Sequence, residues 1–193
     1  MKRCQWISKK KEGSLYCDYH DKEWGVPVHE DKVLFEFLIL EGAQAGLSWI
    51  TVLKKRENYK KAFDGWNLNK IVEYTEKKEK ELLQNKGIIR NRLKIISTVN
   101  NAIIFVEIQD EFGSFDKYIW SFVNGKPIQN TFESSKEIPA RTEISDKISK
   151  DLKKRGMSFV GSTIIYAFMQ AIGITNDHEI SCYRYREIGK EAK

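Results

Sequence analysis

Three prolines, Pro27, Pro127 and Pro139, are all that interrupt a chain of 193 residues in which apolar side chains recur at helical spacing. Proline breaks helices by removing a backbone donor and clashing with the preceding turn, so its scarcity leaves long stretches free to coil. The pattern predicts an almost wholly α-helical protein with helices near 31–44, 48–63, 67–74, 77–84, 88–108, 114–122, 143–154 and 158–172. Local signals agree: Thr142 or Ser145 precedes the helix leading to Gly156, and Gly173 follows the helix through Phe168 and Ile172. Segment 123–141, with Asn124-Gly125-Lys126-Pro127, reads as a loop or hairpin.

In the first of these helices, with Asp31 as expected N-cap, Leu34, Phe37, Leu38, Glu41 and Ala45 share one face. Glu41 stands where a leucine is expected. A buried carboxylate needs donors or a cation, since losing its hydration costs several kcal/mol, roughly. Either a Lys or Arg of the protein supplies that partner, or a ligand does. Gly42 and Gly46 flank the turn that follows, Leu47 occupies its tip, and Ser48 reads as the N-cap of a second helix starting at Trp49. The same residues also fit an αα-corner with Leu47 and Trp49 tucked into the core.

Composition narrows the partners. The 33 Lys plus Arg against 27 Asp plus Glu give a net charge of +6, which favours an anionic partner. The charge is carried in short runs, Lys9-Lys10-Lys11, Lys54-Lys55-Arg56, Lys77-Lys78 and Lys153-Lys154-Arg155, which equally suit solvated faces and helix C-termini. No apolar segment is long and uncharged enough to span a bilayer, and the Met-Lys-Arg-Cys start lacks a signal-peptide core. A cytosolic protein without membrane contact is expected, and nothing in the pattern demands an obligate dimer.

In a reducing cytosol, metal binding is the commoner use of paired cysteines. Cys4 and His20 lie near the start of the chain, while His178 and Cys182 lie four residues apart after Asp177, which reads as a helix N-cap. An i, i+4 pair shares a helical face, and together the four residues form a Cys2His2 set suited to tetrahedral zinc. Four protein ligands leave no open position, so such an ion ties the termini together rather than activating water. Unrelated cysteines and a surface histidine are the other reading. Cys17 is a spare thiol and His29 an ordinary polar residue.

An aromatic run, Trp6, Tyr16, Tyr19 and Trp24, is too irregular for one amphipathic helix and suits either core filling or the wall of a concave site. Electron-rich rings beside a carboxylate favour a flat cationic ligand, at ~0.5–2 kcal/mol per cation–π contact. Further on, two helical patterns meet at Asn85-Lys86-Gly87, where Gly87 is expected to start the second helix. Its free N–H groups, with Arg90, Arg92 and Lys94 nearby, suit a backbone phosphate. The element reads as a degenerate helix-hairpin-helix or as a plain αα-hairpin.

Several blocks are long and unusual: Arg3-Cys4-x-Trp6, Tyr19-His20-Asp21-x-Glu23-Trp24-Gly25-Val26-Pro27, Leu40-Glu41-Gly42-x-Gln44-Ala45-Gly46-Leu47-Ser48-Trp49, Gly87-Ile88-Ile89-Arg90, Trp120-Ser121-Phe122-Val123 and Lys153-Lys154-Arg155-Gly156-x-x-Phe159-Val160-Gly161. From Met1 to about Cys182 the chain closely resembles the bacterial DNA-3-methyladenine glycosylase I family. The resemblance implies an all-α helix-hairpin-helix glycosylase fold in a single unit, with a central lobe of about 31–122 and a second lobe from 1–30 and 123–193. It implies a monofunctional hydrolase that flips 3-methyladenine out of alkylated double-stranded DNA and releases it as the free base, leaving an abasic site. It also implies one structural zinc per chain on Cys4, His20, His178 and Cys182. Glu41 is then expected to read the base edge, with Tyr16, Tyr19, Trp49 and Trp6 around it. Gly46 and Leu47 approach the gap in the duplex, and Gly87, Arg90 and Lys54 meet the DNA. No residue is assigned as general base: Asp146 precedes an amphipathic helix, but nothing in the sequence places it at the sugar.

Overall fold

The computed structural model describes residues 1–191. Among them are eleven α-helices: α1 (Leu15–Lys22), α2 (Asp31–Gln44), α3 (Trp49–Leu53), α4 (Arg56–Ala62), α5 (Leu68–Ile71), α6 (Glu76–Gln84), α7 (Arg92–Phe112), α8 (Phe115–Ser121), α9 (Glu143–Lys154), α10 (Ser162–Ala171) and α11 (Tyr183–Glu191). The expectation of a largely helical protein holds. Two short strands, β1 (Ile128–Gln129) and β2 (Thr175–Asn176), pair in parallel with Ile128 opposite Thr175 and Gln129 opposite Asn176. They fasten the 123–141 segment to the C-terminal part of the chain. No described helix is long and apolar enough to cross a membrane.

Helix α2 is the axis of the fold. Every residue from Leu34 to Ala43 is buried, and α3, α7, α8 and α10 all pack against it. A helix enclosed on all sides has no solvent face, so its apolar residues are not confined to one stripe. Two glutamates are buried with it, Glu36 and Glu41. Glu36 accepts from Arg56 Nε at 2.7 Å, and Arg56 Nη1 bridges on to Glu23. The guanidinium also lies over the Phe37 ring, 4.9 Å from its centre.

The ends of α2 depart from the sequence expectation. Glu30, not Asp31, is the N-cap. The Asp31 carboxylate instead accepts from the Phe115 and Asp116 amides, at 2.9 and 2.8 Å, and so satisfies free donors in the first turn of α8. At the other end Lys94 Nζ donates to Ala43 O and Ala45 O, both at 2.7 Å, so this cation closes α2 and is not free for phosphate. Gly42 lies inside α2 rather than in the turn after it. A Cβ there would meet Phe159 Cβ at 3.2 Å.

Other boundaries shift for local reasons. The helix expected over 48–63 breaks at Lys54-Lys55 into α3 and α4, and α10 begins only at Ser162. Helix α7 starts at Arg92, capped by Asn91, whose side chain accepts from Lys94 N. Gly87 is therefore in the loop between α6 and α7, and its amide already donates to Asn85 Oδ1 at 2.8 Å. Gly173 has φ +71 and passes so close to the Val26–Pro27 peptide that a Cβ would lie 2.3 Å from Val26 C. That approach locks the end of α10 to the segment joining α1 and α2.

The buried ion pair yields a test. Arg56→Ala leaves Glu36 enclosed without its cation and is expected to destabilise the protein by about 3 kcal/mol in urea unfolding. The double variant Glu36→Gln, Arg56→Met is expected to recover most of that loss, whereas equal losses would show that the charges do not depend on each other.

Candidate functional site

Glu41 lies on the side of α2 that faces α1, α3 and α10, and it is 3% exposed. Among the described residues it has neither a hydrogen bond nor an ion pair, in contrast to Glu36 five residues earlier. Burial alone raises its pKa from 4.5 to about 8, which favours the protonated carboxyl at neutral pH. Its surroundings are aromatic. A cavity of about 170 Å³ is lined by Trp6, Tyr16, Tyr19, Trp24 and Trp49 together with Glu41, Gln44, Ala167 and Gln170.

The rings are held against one another. Trp6 contacts Tyr16 and Trp24, each at 5.2 Å between ring centres, and Tyr19 contacts Trp49 at 5.2 Å. Such tilted and edge-on pairs add stability beyond area burial, roughly 0.5–1.5 kcal/mol each. Burial, then any charge on Glu41, pushes both tyrosine phenols up, so Tyr16 and Tyr19 stay protonated donors. Trp49 Nε1 is buried with no hydrogen-bond partner. The four rings named for this site by the sequence, Trp6, Tyr16, Tyr19 and Trp49, are thus brought together around Glu41.

A second cavity of about 200 Å³ shares Glu41, Gln44 and Ala167 with the first and continues to Ala45, Gly46, Leu47, Thr163 and Ile164. Gly46 has φ +77, a backbone state that side chains resist, and it turns the chain so that Leu47 projects outward at 42% exposure. The Lys94 bonds to Ala43 O and Ala45 O fix the base of this turn. Ser48 is the N-cap of α3, but its hydroxyl pairs with Thr51 Oγ1 rather than with a backbone amide.

Behind the aromatic wall, Cys4, His20, His178 and Cys182 are all buried, and their four donor atoms lie within 4.8 Å of one another. Cys4 Sγ is 3.4 Å and Cys182 Sγ 3.5 Å from His178 Nδ1, and Cys182 Sγ is 3.7 Å from His20 Nε2. A tetrahedral ion with bonds of about 2.0–2.3 Å separates its ligand atoms by about 3.3–3.8 Å. The outer nitrogens are already committed to acceptors. His20 Nδ1 donates to Asp21 Oδ1 at 2.7 Å, and His178 Nε2 donates to Trp24 O at 2.9 Å. Each imidazole therefore turns its other nitrogen to the cluster, the orientation a metal requires. Asp21 resists its own desolvation because Arg3 and His20 donate to it, and its pKa falls to about 2.

The route to this convergence differs from expectation. His178 to Cys182 is a turn, not a helix, and α11 begins only at Tyr183. Asp177 is no N-cap; it is buried and accepts four hydrogen bonds. Cys17 is a buried thiol outside the cluster, donating to Lys11 O at 3.3 Å. His29 is exposed, pairing with Asp116 at 2.7 Å. Asp146 pairs loosely with Arg141 at 3.7 Å, and it lines neither cavity that contains Glu41.

Sequence reading missed Gln44, Thr163, Ala167 and Gln170 as lining residues. The last three had a signal, since they recur at i, i+4 and i+7 as small or polar positions in the otherwise apolar helix α10. Of the residues assigned to DNA, Lys54 and Arg90 are exposed, while Gly87 sits in a loop held by Lys55 Nζ, which donates to Lys86 O at 2.9 Å.

The raised pKa of Glu41 has a stability cost with a definite sign. Between pH 4.5 and about 8 the unfolded glutamate is ionised while the folded one stays protonated, so stability falls with rising pH across that window. The loss reaches ~5 kcal/mol in the upper limit of one isolated group. Glu41→Gln is expected to raise the melting temperature at pH 8 and to leave it nearly unchanged at pH 4, compared by thermal unfolding; the same change at both would refute the burial account.

A family model described as methyladenine glycosylase matches residues 6–185. DNA-3-methyladenine glycosylase 1 of Escherichia coli (strain K12) is 48% identical over 185 residues, covering 96% of this chain and 97% of that protein. DNA-3-methyladenine glycosylase of Haemophilus influenzae is 47% identical over 180 residues, covering 93% and 96%. A crystal structure of 3-methyladenine DNA glycosylase I superposes with TM-score 0.90 at 47% identity, covering 94% of this chain and 98% of that one. A tyrosine-to-phenylalanine variant of 3-methyladenine DNA glycosylase I, in complex with 3-methyladenine, superposes with TM-score 0.89 at 34% identity, covering 95% and 97%. This chain belongs to the methyladenine glycosylase family.

Proposed function

We propose that this protein is a DNA glycosylase of base-excision repair that flips 3-methyladenine out of alkylated DNA and hydrolyses its N-glycosidic bond. The observation that carries the reading is Glu41: a buried carboxyl without a protein partner, facing a cavity walled by electron-rich rings. The family membership and a relative's complex with 3-methyladenine support it.

Adenine methylated at N3 within DNA is cationic, and its bond to deoxyribose is weakened because the base departs as a neutral molecule. Flipping costs a few kcal/mol, roughly, and least for a damaged base. Stacking on Tyr16, Tyr19, Trp49 and Trp6 offsets that cost. The positive charge of the base lowers the pKa of Glu41, whose proton passes to solvent as the base enters, and the resulting carboxylate pairs with the cation, an attraction strong in a site this dry. As the bond to the base breaks, C1′ of the sugar gains positive charge, which neighbouring phosphates stabilise. Water adds at C1′ and gives up a proton to solvent. The products are free 3-methyladenine and an abasic site. Glu41 acts first in recognition, and no residue is assigned as general base.

Leu47, raised on Gly46, fills the space that the flipped base vacates. Lys54 and Arg90 contact the DNA backbone around it. The amides of Gly87, Ile88 and Ile89 are engaged with Asn85 Oδ1, Asn85 O and Tyr59 Oη, so phosphate contact from this helix-hairpin-helix falls on Arg90 and the first turn of α7. We assign Zn²⁺ to Cys4, His20, His178 and Cys182, one per chain, because their spacing and the two oriented imidazoles fit a closed tetrahedral site. The ion supplies no chemistry to the reaction; it joins the two ends of the chain behind Trp6 and Trp24. The enzyme acts as a monomer in the bacterial cytosol.

Glu41→Ala is expected to lower release of 3-methyladenine from methylated DNA by about 10- to 100-fold, the loss of one hydrogen bond to a charged group worth ~1.5–3 kcal/mol. Unchanged release, measured by chromatography of the freed bases, would sink the assignment. Stripping the metal with a chelator under mild denaturation is expected to lower the melting temperature markedly, and added Zn²⁺ to restore it. Elemental analysis finding no metal in the native protein would contradict the zinc assignment.

A further inference from the structure

Asp177 is 1% exposed, and both of its oxygens are fully used. Oδ1 accepts from Asn130 Nδ2 at 2.7 Å and Thr175 Oγ1 at 2.8 Å. Oδ2 accepts from Tyr166 Oη at 2.6 Å and Gln170 Nε2 at 2.7 Å. Four donors around one carboxylate make it purely an acceptor. The consequence falls on Gln170, which also lines the aromatic cavity beside Glu41. Turning that amide over would set its oxygen against a carboxylate oxygen with no proton between them. The orientation is therefore fixed: Nε2 faces Asp177, and Oε1 is the amide atom left for the cavity, with no donor among the described residues. The backbone is pinned as well, since Gln170 O accepts from Gly25 N at 2.9 Å.

We infer that Gln170 is a specificity-determining residue and Asp177 the residue that positions it. Oε1 accepts a hydrogen bond from the exocyclic amine of a 6-amino purine and disfavours a 6-oxo purine, which would oppose it with a second acceptor. This rests on the proposed glycosylase activity and deepens it: the aromatic walls and Glu41 select a flat cation, which 3-methylguanine in DNA also is, whereas Gln170 separates adenine from guanine. A site built to pair a donor rejects a base that leaves its acceptor unpaired and dehydrated.

The test is competition within one sample. DNA methylated at both purines is digested with the wild-type enzyme, Gln170→Leu, Asp177→Asn and the double variant, and the released 3-methyladenine and 3-methylguanine are quantified together. The ratio of the two rates is internal to each digest, so a general loss of folded enzyme does not move it. Gln170→Leu is expected to lower the adenine-to-guanine ratio about tenfold. Asp177→Asn, which allows the amide to turn over, is expected to lower it in the same direction, with no further change in the double variant. If Asp177→Asn fails to fold, Gln170→Leu decides alone. An unchanged ratio in Gln170→Leu overturns the inference while leaving the excision of 3-methyladenine standing; failure of the wild-type enzyme to release 3-methyladenine would overturn the glycosylase reading itself.

Discussion

The rest of this structure depends on a buried carboxyl that the protein leaves without a partner. Helix α2 carries two enclosed glutamates five residues apart, and they differ in kind. Glu36 has the Arg56 guanidinium at 2.7 Å, a closed structural pair. Glu41 has nothing from the protein, and its proton substitutes for the missing cation at neutral pH. Such an arrangement weakens the folded state and persists only if a ligand later uses it. On the proposed function, the partner it awaits is the cationic base.

Holding that site open requires rigid walls, and the fold supplies them from three directions. Helix α2 is enclosed over ten consecutive residues, so Glu41 cannot swing to solvent. Lys94 closes the C-terminal end of α2 and fixes the turn that raises Leu47. The Cys2His2 cluster lies directly behind the aromatic wall: the Trp24 ring is 4.6 Å from His178, and the Trp6 ring 5.3 Å from His20. Trp24 also accepts from His178 through its backbone oxygen, so the segment that lines the cavity and the segment that orients the imidazoles are one.

Much of this was legible in the sequence because it rests on residue type. The misplaced Glu41, the aromatic run, the Gly46-Leu47 tip and the two Cys/His pairs are all unusual in themselves, and the structure gathers them. What escaped is set by tertiary context. Short helices such as α1 and α11 have too few turns for periodicity to declare them. Asp31 and Asp177 have the chemistry of N-caps, yet distant donors claim both, one at the start of α8 and one beside α10. The i, i+4 spacing of His178 and Cys182 suggested the right contact through the wrong geometry, since a turn joins them. Gln170 was invisible because its meaning comes from Asp177, a partner that only the fold brings to it.

The central claim, that Glu41 is buried without a counter-charge until the base arrives, can be read directly from its ionisation. Carbon-13 NMR of the side-chain carboxyl in the free protein, followed across pH, measures it. The account predicts a midpoint near pH 8. A midpoint in the ordinary glutamate range, about 4.3, would show that the protein already supplies the partner and would contradict it.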